Sequence, residues 1–207
     1  MKRDAASEPG VLAKLRGTTG LGFGGAPLGN LYSALDDETA DDALEVAWHL
    51  GLRYFDTAPL YGHGLSEKRM GRVLAQKPRD AFYVSTKVGR LLEPVPAAPP
   101  EQSGYVEGLP FAARYDYSHD GALRSLEESL GRLGLDRVDI VYIHDIDRAT
   151  HGARQPGYFA EAMDGAFSAL ARLRSEGVVG AIGLGVNEWE VCEAALRHAD
   201  LDCFMLA

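Results

Sequence analysis

Two patterns of hydrophobic and polar positions alternate along this chain. Short apolar runs, such as "VDIVYIHD" over 138–145 and "AIGLGV" over 181–186, are typical of strands buried on both faces. Between them, apolar residues recur every three or four positions, as in "GALRSLEESLGRLG" over 121–134, which predicts amphipathic helices. The chain therefore predicts a strand followed by a helix, repeated about six times, in an α/β fold with a parallel sheet.

Capping signals mark the ends of several predicted helices. Asp36 or Asp37 would cap the first long helix, Gly51 would end it, and Ser66 would cap the second. A glycine-rich strand that runs into a loop is predicted over 20–29, and further strands are predicted over 54–57, 81–89, 138–145, 181–186 and 202–207. The predicted helices cover 36–51, 66–75, 118–134, 158–177 and 188–199. Two stretches are predicted to be irregular: a polar N-terminal tail over 1–17 and a segment rich in proline and tyrosine over 93–117.

Polar side chains collect where the predicted strands end. They are Asp56, Tyr61 one short loop later, Lys87, His144 and Asn187. A doubly wound open sheet and a (β/α)₈ barrel both fit the order of elements. In an open sheet these residues would be spread along one edge, whereas a barrel brings them together at the mouth formed by its βα loops. This convergence favours a parallel (β/α)₈ TIM-type barrel, of which this chain holds about the first six βα units.

The composition limits the classes of binding partner and the cellular location that we expect. The formal net charge is −9, which argues against nucleic acid or an anionic membrane surface as a partner. No stretch reaches the roughly 20 apolar residues that a membrane span needs, and no apolar run follows the N-terminal basic residues as in a secretory signal. Cys192 and Cys203 are interpreted as two reduced thiols, so we expect a cytoplasmic protein.

The residues at the strand ends also have ordinary structural explanations. Asp56 and Lys87 could be a buried ion pair, His144 a core histidine and Tyr61 a packing residue. These structural explanations do not account for all four residues facing the same mouth of the barrel, whereas a shared catalytic role does. A phenol has a pKa of about 10, and a neighbouring ammonium favours the phenolate and lowers that pKa. Lys87 held by Asp56 would thus prepare Tyr61 for proton transfer, with His144 orienting a substrate oxygen and a separate hydride carrier.

These residues lie in motifs that resemble the aldo-keto reductase superfamily. "FDTAPLYGHGLSE" resembles its strand-2 signature, and the resemblance implies a catalytic tetrad of Asp56, Tyr61, Lys87 and His144. "GLGVNEW" resembles the segment whose asparagine, here Asn187, helps to hold the nicotinamide carboxamide of NAD or NADP. Val186 stands where the family usually has serine.

Three further motifs resemble a branch of that superfamily that contains D-threo-aldose (L-fucose) 1-dehydrogenases and pyridoxal 4-dehydrogenases. They are "GGAPLGNLY", "YDYSHDGALRSLEESLGRLGLDRVDIVYIHDID" and, again, "GLGVNEW". The resemblance implies oxidation of an aldose hemiacetal to a lactone, with Tyr61 as acid and base. A pyridoxal or general aldehyde or ketone oxidoreductase is one alternative, and a non-catalytic fragment or scaffold is another.

A small sugar or aldehyde substrate implies further contacts near the mouth. Candidates are Tyr105, Phe111, Tyr115 and Tyr117 from the irregular segment, with Asp145 and Trp189 beside the implied tetrad and cofactor residues. An ordinary surface loop remains the alternative for each tyrosine. His63, His119 and His151 do not form a metal-ligand set, and no metal is expected.

The resemblance covers about residue 18 to the end, and the superfamily's barrel has eight strands. We therefore interpret 1–207 as a single incomplete barrel domain. We expect this chain to be the retained or ordered part of a longer protein or a proteolytic fragment, with low or no activity alone; completion of the barrel by another chain is the minor alternative. If it is truly truncated, its exposed strand edges would favour self-association.

Overall fold

The computed structural model describes residues 10–98 and 101–207. The strands are β1 (Phe23–Gly24), β2 (Tyr54–Asp56), β3 (Tyr83–Val88), β4 (Arg90–Pro94), β5 (Glu101–Gln102), β6 (Tyr105–Val106), β7 (Phe111–Tyr115), β8 (Ile140–His144), β9 (Ala181–Val186) and β10 (Cys203–Leu206). The α-helices are α1 (Val11–Leu15), α2 (Asp37–His49), α3 (Leu65–Leu74), α4 (His119–Leu133), α5 (Arg148–His151), α6 (Gln155–Glu161), α7 (Phe167–Ser175) and α8 (Trp189–Ala195). A π-helical turn, Ala162–Ala166, joins α6 to α7.

Six parallel strands form one curled sheet in the order β1-β2-β3-β8-β9-β10. Each strand therefore lies next to the one that precedes it in the βα series. A doubly wound sheet would reverse direction at a switch point, so this order confirms the barrel-type winding.

The two faces of the curled sheet carry different side chains. Val84, Val141 and Ile182 belong to the main apolar core that the sheet forms with the surrounding helices. The inner face carries larger polar groups, including Tyr54 and Tyr142. Because side chains alternate along a strand, the same strands supply a hydrophobic layer outside and a mixed layer of polar and apolar side chains inside.

Several boundaries differ from those predicted. Part of the predicted N-terminal tail forms α1, whose apolar residues pack against Ile140, Tyr142 and Ala181 on the inner face, while residues 1–9 lie outside the described residues. The glycine-rich stretch 20–29 contains only the two residues of β1 and a 3₁₀ turn, Ala26–Gly29.

The predicted Ser66 cap is wrong. The helix α3 begins after Gly64, which adopts φ +94°, a conformation that favours glycine. Ser66 is buried as the second residue of the helix, where its hydroxyl donates to the carbonyl of Gly25 at 2.7 Å and contacts the Thr57 hydroxyl at 2.8 Å. By contrast, Asp36 does cap α2, since its carboxylate accepts from the Thr39 N–H at 2.7 Å.

The segment 93–117 is not irregular in its described part. β4 and β7 form an antiparallel hairpin, and β5 pairs with β6 in a smaller one. A bridge between Leu31 and Tyr105 ties the smaller hairpin to the loop after β1. The smaller hairpin and the loop after β1 form one wall at the mouth of the sheet.

Candidate active site

The loop after β2 sets the position of Tyr61. The Gly25 N–H donates to the Asp56 carbonyl at 2.7 Å, which fixes the end of β2. The chain then turns, and the Tyr61 N–H donates to the Ala58 carbonyl at 3.1 Å. Gly29 lies directly on the Tyr61 backbone, and a Cβ at this position would overlap it. The glycine-rich first loop is thus needed for close packing behind the tyrosine.

The ammonium of Lys87 is buried and fully hydrogen-bonded. Its Nζ lies 2.6 Å from Asp56 Oδ2, 3.0 Å from the Thr57 carbonyl oxygen and 2.9 Å from the Tyr61 hydroxyl. An ammonium has three donors, and each has one acceptor here. The side chain therefore has a single orientation, in which it joins the carboxylate to the phenol.

Burial and charge act in opposite directions on these groups. For Lys87, burial lowers the pKa, but the attraction of Asp56 and Tyr61 outweighs it, so the pKa is raised and the ammonium persists. For Tyr61, burial raises the pKa and Lys87 offsets this only in part, so the net shift is upward. Lys87 therefore lowers the pKa of Tyr61 as expected, but burial outweighs this effect, and Tyr61 is a neutral phenol in the free protein.

His144 ends β8 and lies edge-on to the Tyr61 ring, with 6.0 Å between the ring centroids. Its pKa is well below the usual value because it is buried, with Arg90 and Lys87 nearby. The imidazole is therefore neutral at pH 7 and carries one N–H. Its Nε2 lies 3.4 Å from Asp145 Oδ2, so this N–H has a carboxylate within reach until a ligand oxygen takes its place.

Asp145 is held beside the imidazole by several partners. Its carboxylate forms a buried ion pair with Arg90 at 2.8 Å. Its backbone adopts φ +51°, and its carbonyl accepts from the Tyr117 hydroxyl at 3.0 Å. The same hydroxyl contacts the His144 carbonyl at 2.7 Å, which holds the two adjacent residues together.

Two carboxylates orient the side chain of Asn187. Its Nδ2 donates to Asp145 Oδ1 at 3.2 Å and to Asp147 Oδ2 at 3.1 Å, and its backbone N–H donates to Asp147 at 2.6 Å. Because a carboxylate only accepts, the amide nitrogen must face these groups. The Asn187 Oδ1 atom is left as an acceptor at the mouth.

These groups surround a cavity of about 400 Å³ at the C-terminal ends of the strands. The predicted site residues that line it are Tyr61, Lys87, Tyr105, His144, Asp145 and Asn187. Asp56 lies beneath Lys87, and the Tyr105 ring stacks on Tyr61 at 5.8 Å. The cavity also has apolar walls, contributed by Leu31, Leu60, Val186 and Met205.

Other candidates from the sequence lie elsewhere. Tyr115 and the fully buried Tyr117 pack in an aromatic cluster with His151 and Tyr158, outside the cavity lining. Trp189 is exposed at the start of α8. Phe111 begins β7 and does not line the cavity either.

Sequence reasoning missed three residues. Tyr32, 82% exposed with φ +64°, lines the mouth. Arg90 and Asp147 support Asp145 and Asn187. Asp147 carried a usable signal, because "DRAT" begins with a good helix cap and its Oδ1 does accept from the Thr150 N–H. Nothing local distinguished Tyr32 or Arg90.

A model of the Aldo/keto reductase family matches residues 20–207. The chain is 45% identical over 213 residues to a pyridoxal 4-dehydrogenase of Microbacterium luteolum and 44% identical over 209 residues to a D-threo-aldose 1-dehydrogenase of Pseudomonas. Each alignment covers 98% of this chain. The chain belongs to the aldo/keto reductase family.

Among solved structures, the holo form of aldo-keto reductase AKR11C1 from Bacillus halodurans matches with a TM-score of 0.68 and 25% identity. The match covers 91% of this chain and 53% of that one. The curated relatives are also longer, since the chain spans 62% of the pyridoxal 4-dehydrogenase and 60% of the D-threo-aldose 1-dehydrogenase. Within residues 10–98 and 101–207, no helix is long and apolar enough to cross a membrane.

Proposed function

We propose that this protein is an NAD(P)-dependent oxidoreductase that oxidises the hemiacetal of an aldose, of the L-fucose or D-threo type, to a lactone. The observation that carries the proposal is the contact of the Tyr61 hydroxyl with the Lys87 ammonium at 2.9 Å, at a cavity that also contains a neutral His144. This arrangement suits proton transfer at a hydroxyl or carbonyl oxygen.

In oxidation, the proton of the substrate hydroxyl passes to the phenolate form of Tyr61 as the C–H bond gives up its hydride. A bound nicotinamide would supply the hydride acceptor. His144, through its single N–H, would orient the same substrate oxygen. Because the pKa of Tyr61 is raised in the free protein, the phenolate is scarce at pH 7, and oxidation should accelerate as the pH rises. Reduction uses the neutral phenol and should be favoured at lower pH.

The Asn187 side chain fits a nicotinamide carboxamide. With both amide hydrogens directed at Asp145 and Asp147, its Oδ1 can only accept, and a carboxamide NH₂ is a matching donor. This supports Asn187 as a cofactor-binding residue. We assign the cofactor as NAD or NADP without choosing between them.

The substrate side of the cavity suits a polar ring. Asp145 presents a carboxylate for hydroxyl groups, and Tyr105 and Tyr32 supply aromatic surface. Pyridoxal is the second candidate, since the stacked Tyr61 and Tyr105 rings would also suit a flat heteroaromatic ring. The relatives named for these two substrates are almost equally similar to the chain.

The test compares Tyr61→Phe with Tyr115→Phe, whose ring lies outside the cavity. Initial rates of NADH or NADPH formation would be measured with L-fucose and with pyridoxal. We expect kcat to fall about 100- to 10,000-fold in Tyr61→Phe and to change less than about threefold in Tyr115→Phe. Near wild-type turnover in Tyr61→Phe would refute the proton-transfer role, and turnover of pyridoxal alone would favour the second candidate.

A cytoplasmic location also belongs to this proposal and is supported by Cys192 and Cys203, which are both free thiols. Self-association through strand edges stays a prediction. Size-exclusion chromatography with light scattering would measure the assembly state directly.

A further inference from the structure

Beneath Lys87, a row of hydroxyl groups continues the hydrogen-bond network towards the N-terminal end of the strands. Ser85 Oγ lies 2.6 Å from Asp56 Oδ1, and the Tyr54 hydroxyl lies 2.9 Å from Ser85 Oγ. The Tyr142 hydroxyl follows at 3.1 Å from that of Tyr54. None of these three hydroxyl residues lines the cavity, so none of them contacts a ligand there.

The carboxylate of Asp56 determines which atom donates at every link. A carboxylate only accepts, so the Ser85 hydroxyl donates its one hydrogen to Asp56. Tyr54 must then donate to Ser85, and Tyr142 must donate to Tyr54. The thiol of Cys203, 3.8 Å from the Tyr142 oxygen, can donate weakly at the far end. All hydrogens in the row therefore point towards Asp56.

Such an arrangement strengthens each bond in it. In a buried, low-dielectric setting, a hydroxyl that accepts a hydrogen bond becomes a better donor, so an aligned row delivers a stronger donor to the final acceptor. Burial and the nearby Asp56 raise the pKa of Tyr54 to about 12, so this hydroxyl stays a donor over the working pH range. The Asp56 carboxylate is thus shared between Ser85 at Oδ1 and Lys87 at Oδ2.

We propose that Tyr54 and Ser85 are positioning residues, whose aligned hydroxyls hold Asp56 and limit how strongly it attracts Lys87, so that the ammonium remains available to Tyr61. Without the row, the full charge of the carboxylate would act on Lys87 and, from slightly farther away, on the phenol. Tyr61 would then lose its proton less readily. The effect on the Tyr61 phenol does not depend on turnover, whereas its consequence for catalysis rests on the function proposed above.

Variants that remove one oxygen test this directly. Tyr54→Phe keeps the ring, which packs against Gly22, and removes the donor to Ser85 together with the acceptor for the Tyr142 hydroxyl. We expect it to move the Tyr61 ionisation to higher pH by roughly half a pH unit, and Ser85→Ala to move it by about one unit. Since Tyr54 acts through Ser85, the double variant should match Ser85→Ala alone. Tyr83→Phe, two residues before Ser85 on β3 and without a hydrogen bond to the row, is the matched control.

Two readouts separate the inference from the proposed function. The first is the titration of tyrosine ¹³Cζ signals in the cofactor-free protein, with the Tyr61 signal identified from Tyr61→Phe; the second is the pH profile of kcat/KM. The titratable groups around Tyr61, held constant in all these variants, are Asp56, Lys87, Tyr105, His144 and Asp145.

An upward shift of the Tyr61 signal in Tyr54→Phe and Ser85→Ala, absent in Tyr83→Phe and not additive in the double variant, supports the inference even if the protein turns over no substrate. Unchanged titration in both variants, or shifts that add in the double variant, would overturn it. Failure of wild-type protein to oxidise either substrate refutes the proposed function and leaves the NMR result to decide the positioning role.

Discussion

Removing the Lys87 ammonium should destabilise the fold far more than a surface ion pair would suggest. Lys87→Met keeps most of the side-chain volume but leaves the Asp56 carboxylate, only 6% exposed, without its cation. It also removes the donor to the Thr57 carbonyl and to the Tyr61 hydroxyl. Breaking a buried pair in this way costs about 3–5 kcal/mol of unfolding free energy.

The same substitution at Lys77 is the control. Lys77 contacts Glu45 at 2.7 Å, close to the 2.6 Å between Lys87 and Asp56, but the Glu45 side chain is 38% exposed. Solvent screening limits such a pair to about 1 kcal/mol or less. Urea unfolding at pH 7, followed by circular dichroism, would give both values. A loss below about 1 kcal/mol for Lys87→Met, or one equal to that of Lys77→Met, would refute the claim that burial makes this pair important.

The pH dependence of the same difference has a defined sign. The pKa of Lys87 is raised in the folded protein, so its stabilising contribution is complete below the unfolded value of about 10.4 and is lost as the pH rises through the folded value. The gap in stability between wild type and Lys87→Met should therefore stay constant from pH 7 to about 10 and shrink at higher pH.

Three further predictions concern other parts of the molecule. The pKa of His144 is lowered by burial, so its contribution to stability is lost as the pH falls below about 6.5. His144→Gln should therefore make the free energy of unfolding fall less steeply as the pH is lowered below about 6.5. Gly71→Ala should destabilise the protein by about 1–3 kcal/mol, because the new methyl would overlap the Leu133 backbone in α4; Gly131→Ala, with open space at its Cβ, should stabilise it by about 0.5–1 kcal/mol in thermal unfolding. Asp147→Asn should loosen Asn187 and weaken nicotinamide cofactor binding about tenfold, as measured by calorimetry. An unchanged affinity would refute the role of the Asp147 carboxylate in orienting Asn187.

The broad fold and six of the residues that line the cavity were accessible from the sequence. Apart from the short, glycine-rich β1, the strands of the parallel sheet were recognisable as apolar runs, and polar residues such as Asp56, Lys87 and His144 stood where those runs ended. Because all strands are parallel and wound in sequence order, their C-terminal ends must meet, so local positions were enough to predict a shared mouth.

Pairing between distant segments was not accessible. The hairpin of β4 and β7 depends on register between residues about 20 positions apart, and its composition, rich in proline and tyrosine, looked irregular. Ser66 has the right residue type for a helix cap, but its burial against Gly25 is a tertiary contact that no local pattern encodes. Only the folded chain placed Tyr32 at the mouth and Tyr115 in the aromatic cluster.

By itself, the sequence determined the order of the strands in the parallel sheet and of the longer helices between them, the sign of the net charge and the chemical groups available at each strand end. The tertiary structure alone decided how those groups act on each other. Whether Lys87 or burial governs the pKa of Tyr61 depends on a 2.9 Å contact set against the loss of solvent, and burial wins. The direction of the hydroxyl row likewise arises because Tyr54 and Ser85 face the same interior as Asp56, where a single carboxylate orients every donor.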